Sequence, residues 1–283
     1  MVSMARFTSF DGTRLAYREF GEGDPLVVLA GGPGRASEYL ETLGGLDGAR
    51  RLVVLDNRGT GESDEPVDPF TYRRDMLVRD VEVLRRHLGL ERVDVLGHSA
   101  GAGIAMGYAA DFPQRVGKLV LLTPALRGVG LSPEQSDWDA HLAARSGEPW
   151  FAGAVAAMER AAAGDRSVAT RVEASPLMYA RWDERAREHA RAELGQWKYE
   201  VAAGYNAEGA FVPGVLRRAL AEFGGPVLVY ACAQDPISPV RRCARLVELF
   251  PDAVLHVHEG VGHYPWVEDP GHLVKELVAF LDA

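Results

Sequence analysis

Apolar runs and amphipathic segments alternate along the first and last parts of this chain. Continuous apolar runs predict strands that are buried on both faces of a parallel sheet, at residues 25–30, 51–55, 93–96, 118–122, 226–231 and 253–258. Apolar residues at helical spacing between them predict helices at residues 37–46, 71–88, 100–111, 240–250 and 272–281. This alternation predicts an α/β fold with a mostly parallel sheet flanked by helices.

The amino-terminal segment has a different pattern. Residues 6–10 and 14–20 are compatible with strands and flank Asp11-Gly12, a dipeptide that is typical of hairpin turns. We therefore expect an antiparallel pair of strands before the parallel part of the sheet begins.

The alternation stops at about Arg127 and resumes at about Gly224. The residues between them are rich in alanine, arginine and glutamate and contain no run of β-branched residues. Helices are predicted here, for example at residues 150–163, 183–197 and 215–223. We expect a core made of residues 1–126 and 225–283, with residues 127–224 inserted as a helical cap.

Composition narrows the classes of function. The chain has 283 residues and a net charge of −9, which argues against a nucleic-acid partner and against an anionic membrane surface. No apolar run approaches the length of a membrane span, and the start of the chain lacks a signal-peptide core. The sequence therefore predicts a cytoplasmic protein; it gives no oligomeric state.

Cofactor chemistry is not expected. The chain has two cysteines, Cys232 and Cys243, and neither has the spacing of a metal ligand. We expect both to be free thiols, and we expect neither a metal nor an organic cofactor.

The candidate chemistry begins at residues 97–101, Gly-His-Ser-Ala-Gly. A G-x-S-x-G sequence between a predicted strand and a predicted helix is typical of a nucleophile elbow, in which the serine lies at the apex of a strained turn. Ser99 is the predicted nucleophile. The motif alone is weak in a chain with 31 glycines, so the assignment depends on finding its partners.

Two partners follow in the expected order. Catalytic side chains of parallel sheets lie just after the carboxyl ends of strands. Asp235 follows the strand at residues 226–231, and His263 lies in the glycine-containing loop after the last strand. Alone, Asp235 could open a turn and His263 could cap a loop. Together with Ser99 they predict a triad in which His263 accepts the serine proton and Asp235 orients the imidazole.

The other histidines are predicted to have no catalytic role. We expect His98, next to Ser99 in the chain, to point away from it, and we expect His256 and His258 to be structural residues of a strand. Positions at helix surfaces or caps are predicted for His87, His141, His189 and His272.

An oxyanion hole requires two backbone N–H groups that face the developing negative charge. Ala100, directly after the nucleophile, is predicted to supply one of them. The glycine-rich residues 31–34 allow close backbone approach, and Gly32 is predicted to supply the other. The same glycines would also suit a tight turn between a strand and a helix, and the two interpretations are compatible.

Several motifs together resemble a known family. The chain is similar to α/β-hydrolases of the proline iminopeptidase group in GGPG at residues 31–34, DNRGTGES at 56–63, the elbow, DPISP at 235–239 and GHYPWVEDP at 262–270. The resemblance implies an eight-stranded sheet with a helical cap over the triad. The elbow sequence found here is commoner in esterases and other small-molecule hydrolases than in the peptidases.

The resemblance also implies candidate substrate contacts. The peptidases anchor the free amino group of the substrate with acidic residues of the cap, and residues 179–184 distantly resemble their aromatic–acid motif. On this basis Asp183 and the adjacent Trp182 are candidate substrate-binding residues.

The leading hypothesis is a serine hydrolase that cleaves an ester or amide of a small, partly apolar substrate, a small molecule or a short peptide. An alternative keeps the triad but performs acyl transfer, cyclisation or carbon–carbon bond cleavage in a metabolic pathway. A third hypothesis is a non-catalytic ligand receptor on the same fold. No nucleic-acid or membrane partner is expected.

Overall fold

A central sheet of eight strands organises the molecule, which a computed structural model describes over residues 3–283. The first two residues of the predicted core lie outside the described residues. The strands are β1 (Ser3–Thr8), β2 (Arg14–Phe20), β3 (Pro25–Leu29), β4 (Arg51–Leu55), β5 (Val93–His98), β6 (Val116–Leu122), β7 (Val227–Cys232) and β8 (Ala253–His258).

The sheet has the order β1-β2-β4-β3-β5-β6-β7-β8. β1 and β2 form the antiparallel hairpin that Asp11-Gly12 predicts, and β2 pairs antiparallel with β4. All remaining neighbours are parallel. The predicted eight-stranded, mostly parallel α/β sheet is therefore confirmed.

Twelve α-helices lie within the described residues. They are α1 (Arg74–His87), α2 (Ala100–Asp111), α3 (Gln135–Arg145), α4 (Phe151–Ala162), α5 (Val168–Ala174), α6 (Glu184–Arg191), α7 (Glu193–Gln196), α8 (Tyr199–Tyr205), α9 (Pro213–Leu220), α10 (Val240–Val247), α11 (Pro265–Glu268) and α12 (Pro270–Asp282). None of these helices is long and apolar enough to cross a membrane.

Both faces of the sheet are covered, which explains why its central strands are continuously apolar. Along β3, Val27 belongs to an apolar cluster on one face, whereas Leu26 and Val28 belong to a cluster on the other. All three are fully buried. Because side chains alternate between the two faces along each strand, one apolar run contributes residues to two separate hydrophobic cores.

The helix predicted at residues 37–46 is wrong. Two short 3₁₀ helices, Ser37–Leu40 and Leu46–Gly48, occupy this segment. Between them Glu41 and Leu43 have φ angles of 50° and 52°, which an α-helix cannot accommodate. The apolar side chains that suggested a helix are instead buried individually against the sheet, since Leu40 and Leu43 are both fully inaccessible to solvent.

Helices alone fill the described chain between β6 and β7, apart from one isolated bridge between Arg35 and Trp197. These helices pack onto both cores: Tyr205 of α8 joins one apolar cluster and Ala190 of α6 joins the other. Leu216 and Leu220 of α9 lie in the same cluster as the buried residues of α2. The last helix of the predicted insertion therefore packs directly on the core.

Candidate active site

The turn between β5 and α2 places Ser99 at its apex. The Ser99 backbone has φ 53° and ψ −118°, a strained combination for a residue with a side chain. A Cβ on Gly97 would lie 2.5 Å from the carbonyl oxygen of Gly101, and a Cβ on Gly101 would overlap the carbonyl oxygen of Leu29. The two glycines are therefore required by close backbone approach around the serine.

Ser99, His263 and Asp235 form a continuous hydrogen-bonded series. The Ser99 hydroxyl donates to Nε2 of His263 over 2.9 Å, and Nδ1 of His263 donates to Oδ2 of Asp235 over 2.8 Å. The other carboxylate oxygen of Asp235 accepts the N–H of Ile237 at 2.8 Å. All three side chains are buried. This arrangement can remove a proton from the serine and hold the resulting imidazolium beside a fixed carboxylate.

The loops that carry these residues extend the sheet. The N–H of Ser99 donates to the carbonyl of Leu122 at the end of β6, and that of Ala233 donates to His258 at the end of β8. The N–H of His263 donates to Met178 in the helical segment above the sheet. Main-chain bonds therefore help to fix the loops that carry the candidate nucleophile, base and acid.

His98 connects two loops of the site through hydrogen bonds, which its position in the sequence does not indicate. The Tyr39 hydroxyl accepts the N–H of Gly31 at 2.6 Å and donates to Nδ1 of His98 at 2.7 Å. Nε2 of His98 donates to the carbonyl oxygen of His263 over 3.2 Å. Burial lowers the pKa of His98 well below its usual value, and His263 adds to this shift. A neutral imidazole thus connects the glycine loop to the loop of the candidate base.

The prediction of a helix-surface or cap position for His189 is wrong. It is buried, with Nδ1 accepting from the Tyr179 hydroxyl at 2.7 Å and Nε2 donating to the Tyr39 carbonyl at 2.9 Å. Burial lowers its pKa to about 3. The signal that could have placed it is the spacing of Ala186, His189 and Ala190, which lie on the buried face of α6.

The predicted oxyanion residues Gly32 and Ala100 both line the cavity that contains Ser99. Ala100 is the first residue of α2, so its N–H has no acceptor within the helix. Gly32 has a φ of 45°, in the left-handed region that favours glycine. The preceding Gly31 cannot serve this role because its N–H already bonds to Tyr39. The arrangement can present two donors to a developing oxyanion.

The cavity over Ser99 has a volume of about 400 Å³, which is suited to a small molecule. The core contributes Tyr264 and Ile237 to its wall. The helical segment contributes mainly apolar side chains, namely Met158, Met178, Trp197, Tyr205 and Phe211. The hydroxyl of Tyr205 donates to the carbonyl of Ala100 over 2.7 Å, so one cap side chain is bonded directly to the serine turn.

Asp183 and Trp182 do not reach this cavity, which corrects their assignment as substrate contacts. Asp183 is exposed and caps α6, accepting the N–H of Ala186 at 3.0 Å. An aspartate at this position satisfies a helix donor that has no internal partner. The Trp182 ring packs on Tyr179, with 5.4 Å between centroids, and is absent from the cavity wall.

No group of three or more histidine, cysteine or acidic side chains within residues 3–283 is arranged to hold a metal ion. Cys232 and Cys243 are both free and buried. Burial raises the pKa of the Cys232 thiol well above its usual value, which makes that thiol a poor nucleophile.

Comparison with known proteins gives a family match. A model of the alpha/beta hydrolase fold matches residues 24–270. A proline iminopeptidase of Heyndrickxia coagulans is 34% identical over 123 residues, which are 42% of this chain and 43% of that protein. A 2-hydroxy-6-oxo-6-phenylhexa-2,4-dienoate hydrolase of Comamonas testosteroni is 35% identical over 121 residues, 41% of each chain. The matched region thus spans less than half the length of these curated relatives.

A solved structure extends the likeness to the whole chain. An esterase from Exiguobacterium antarcticum superposes with a TM-score of 0.75 and covers 99% of both chains at 20% sequence identity. At this identity the match establishes the fold and carries no argument about substrate.

Proposed function

The chain belongs to the α/β-hydrolase family, and from that premise we propose that it is a serine hydrolase acting through an acyl-enzyme. Its substrate would be an ester or amide of a small, partly apolar acid. The single observation that carries the proposal is the hydrogen-bonded series from Ser99 through His263 to Asp235, of which Ser99 and His263 line a partly enclosed cavity.

The proposed reaction has two halves. The Ser99 oxygen attacks the substrate carbonyl while Nε2 of His263 takes the serine proton, and the negative charge moves to the carbonyl oxygen. The bond to the leaving group then breaks as His263 returns the proton to that group. Water repeats the sequence on the acyl-enzyme, and the acid is released with Ser99 restored.

Stabilisation of the oxyanion falls to the N–H groups of Gly32 and Ala100. Backbone donors that are already oriented need no rearrangement when charge develops, and a single such donor contributes roughly 10²- to 10³-fold in rate. The helix that starts at Ala100 adds the positive end of its dipole at the same point.

The cavity favours an acyl substrate over a peptide with a free amino terminus. Such a peptide would need a carboxylate to bind its ammonium group, and Glu193 is the one acidic side chain in the described cavity wall. Arg171 already binds that carboxylate through Nε at 2.8 Å and Nη2 at 2.7 Å. Acyl transfer and carbon–carbon cleavage by the same three residues remain the alternative, and product analysis with added nucleophiles separates them from hydrolysis.

The decisive experiment compares Ser99→Ala with wild type on a series of aryl esters and anilides. Wild type should hydrolyse esters and react covalently with a fluorophosphonate at Ser99, and Ser99→Ala should do neither. Ser146→Ala is the matched control, since Ser146 is an exposed serine whose hydroxyl bonds to the Ala143 carbonyl. Full hydrolysis by Ser99→Ala, or labelling at another serine, would overturn the proposal.

A further inference from the structure

The cavity over Ser99 is cationic although the chain as a whole carries a net charge of −9. Three guanidinium groups, those of Arg35, Arg127 and Arg171, line it together with the single carboxylate of Glu193. Its wall therefore carries an excess of positive charge. Arg35 is buried, so its charge is screened little, whereas Arg127 is exposed to solvent at the cavity.

One carboxylate serves two of these arginines. Glu193 accepts a hydrogen bond from Nε of Arg171 at 2.8 Å and lies 2.7 Å from Nη2 of the same guanidinium, while Nη1 of Arg35 lies 4.0 Å from it. The other bonds of the buried Arg35 go to neutral acceptors, the side-chain oxygen of Gln196 and the carbonyl of His189, each at 2.9 Å. This part of the wall keeps roughly one positive charge that no anion offsets.

Arg127 makes no ion pair with any carboxylate of the described chain. Its Nη1 donates to the side-chain oxygen of Asn206 at 3.1 Å, and its guanidinium lies 5.4 Å from the ring centre of Phe211. Both contacts hold the guanidinium in place, and neither neutralises it. The remaining N–H groups are available to a ligand.

Arg127 is also tied closely to the nucleophile. Ala125, two residues before it, donates its N–H to the carbonyl of Ser99 over 2.9 Å. Tyr205, which precedes the asparagine partner of Arg127, donates to the carbonyl of Ala100 over 2.7 Å. The chain segments that carry Arg127 and its partner Asn206 are therefore both bonded to the serine turn, close to residues 127 and 206.

We propose that Arg127 is a specificity residue that binds a carboxylate of the substrate while Ser99 attacks the ester or amide carbonyl. This proposal rests on the proposed function and adds to it the charge class of the substrate. Arginine suits the task because its planar donors match a carboxylate, and such charge-assisted bonds are stronger than neutral ones. A substrate with an ammonium group would instead meet the excess positive charge of Arg35 and Arg127.

The test uses esters that differ in one charge. The first series has 4-nitrophenyl monoglutarate, neutral 4-nitrophenyl pentanoate and a pentanoate ester with a terminal trimethylammonium group. A second pair puts the charge on the leaving group, with the acetate esters of 4-hydroxybenzoate and 4-hydroxybenzamide. In at least one series, wild type should prefer the carboxylate ester by roughly 10- to 100-fold in kcat/KM, the range expected for a hydrogen bond to a charged group.

Variants of Arg127 then test whether this side chain causes the preference for carboxylate esters. Arg127→Met should reduce the ratio of carboxylate to neutral ester to about one, and Arg127→Glu should reverse it in favour of the trimethylammonium ester. Arg218→Met is the matched control, because it removes an equal charge from an exposed arginine of α9 that is absent from the cavity wall. It should keep the wild-type ratio.

Absence of a carboxylate preference in both series, or its survival in Arg127→Met, would overturn the assignment. Calorimetric titration of Ser99→Ala with the same intact esters separates this outcome from failure of the proposed function. If wild type hydrolyses no ester but Ser99→Ala binds the carboxylate esters more tightly, the anion site stands and the hydrolase proposal fails. If wild type hydrolyses the esters without charge preference, the hydrolase proposal stands and the anion site fails.

Discussion

The two walls of the cavity are positioned by different kinds of contact. On the core side, the hydrogen bonding of the sheet continues past the strand ends, as in the bonds from Ser99 to Leu122 and from Thr123 to Tyr230. On the cap side, isolated bonds join segments far apart in the chain. Tyr205 reaches the Ala100 carbonyl, and the N–H of Lys198 reaches Gly34 at 2.9 Å.

This difference separates chemistry from selectivity. Residues placed by a continuous ladder of main-chain bonds keep their spacing when single side chains change. The helical segment is held in part by single side chains, such as Tyr205, and a contact of that kind can be altered by one substitution, whereas its main-chain bond from Lys198 to Gly34 cannot. We therefore expect core substitutions to act on kcat and cap substitutions to act on KM, charge preference or stability.

The largest expected effect is on the core side. Asp235→Asn keeps the shape of the side chain but removes the charge that orients and stabilises the His263 imidazolium. By the behaviour of serine triads in general, kcat should fall by roughly 10⁴-fold. Steady-state kinetics on an aryl ester, with a thermal melt to show that folding is intact, measure this directly. A fall of less than tenfold would break the proposed division of roles.

The residues of the core-side wall could be predicted from the sequence better than those of the cap-side wall. A buried parallel strand is a continuous apolar run, and the residue that follows it must lie at the sheet edge, so the positions of Ser99, Asp235 and His263 follow from local pattern and order. The resemblance of several motifs implied that the sheet has eight strands, whereas the order of those strands is seen only in the structure.

The cap side could not be predicted in the same way. The spacing of Ala186, His189 and Ala190 indicates a buried helix face, but nothing local to His189 indicates its bond to the Tyr39 carbonyl, 150 positions earlier in the chain. Arg127 and Arg171 look like ordinary charged helix or loop residues until the fold brings them to one cavity. The failed helix at residues 37–46 has the same origin, because tertiary burial of Leu40 and Leu43 overrides helical spacing.

The pH dependence of folding stability depends on one buried histidine in each part of the molecule, His98 in the core and His189 in the cap. His98 of the core and His189 of the cap both have folded-state pKa values below the ordinary 6.5, because burial disfavours their charged forms. Below pH 6.5 the unfolded chain binds protons that the folded chain does not, so both contribute a loss of stability as pH falls. For His189, with a folded pKa of about 3, the loss at pH 4.5 is about 3 kcal/mol.

The measurement is the free energy of unfolding by urea between pH 7 and pH 4.5 in wild type and in His189→Gln. Half-buried carboxylates such as Glu268, whose pKa is raised by desolvation, contribute with the opposite sign, so the informative quantity is the difference between the two proteins. The variant should lose less stability over this range by about 3 kcal/mol. Identical pH dependence would show that His189 is protonated within the folded cap.

A smaller effect is expected where the cap is bonded to the serine turn. Tyr205→Phe removes the hydroxyl that donates to the Ala100 carbonyl but keeps the ring in the apolar cluster. The protein should lose about 1 kcal/mol of stability, because the Ala100 carbonyl loses one hydrogen bond but keeps its place at the start of α2. Values of KM should rise more than kcat falls. A fall in kcat alone would mean that this cap residue positions Ser99. The expected separation, with core residues acting on kcat and cap residues on KM, would then fail.

The smallest effect is expected at Asp183, which the resemblance proposed as a substrate contact and which the structure places outside the cavity. Asp183→Ala removes the cap of α6, so we expect about 1 kcal/mol less stability by denaturant unfolding. Asp183→Asn, which retains a capping side chain, should restore most of that loss. Neither variant should change kcat/KM or the preference among charged esters, because Asp183 is exposed and outside the cavity. A selective rise in KM for a substrate with a free amino group, in both variants, would instead show that Asp183 contacts the substrate. The cap would then have to move so that Asp183 reaches the cavity.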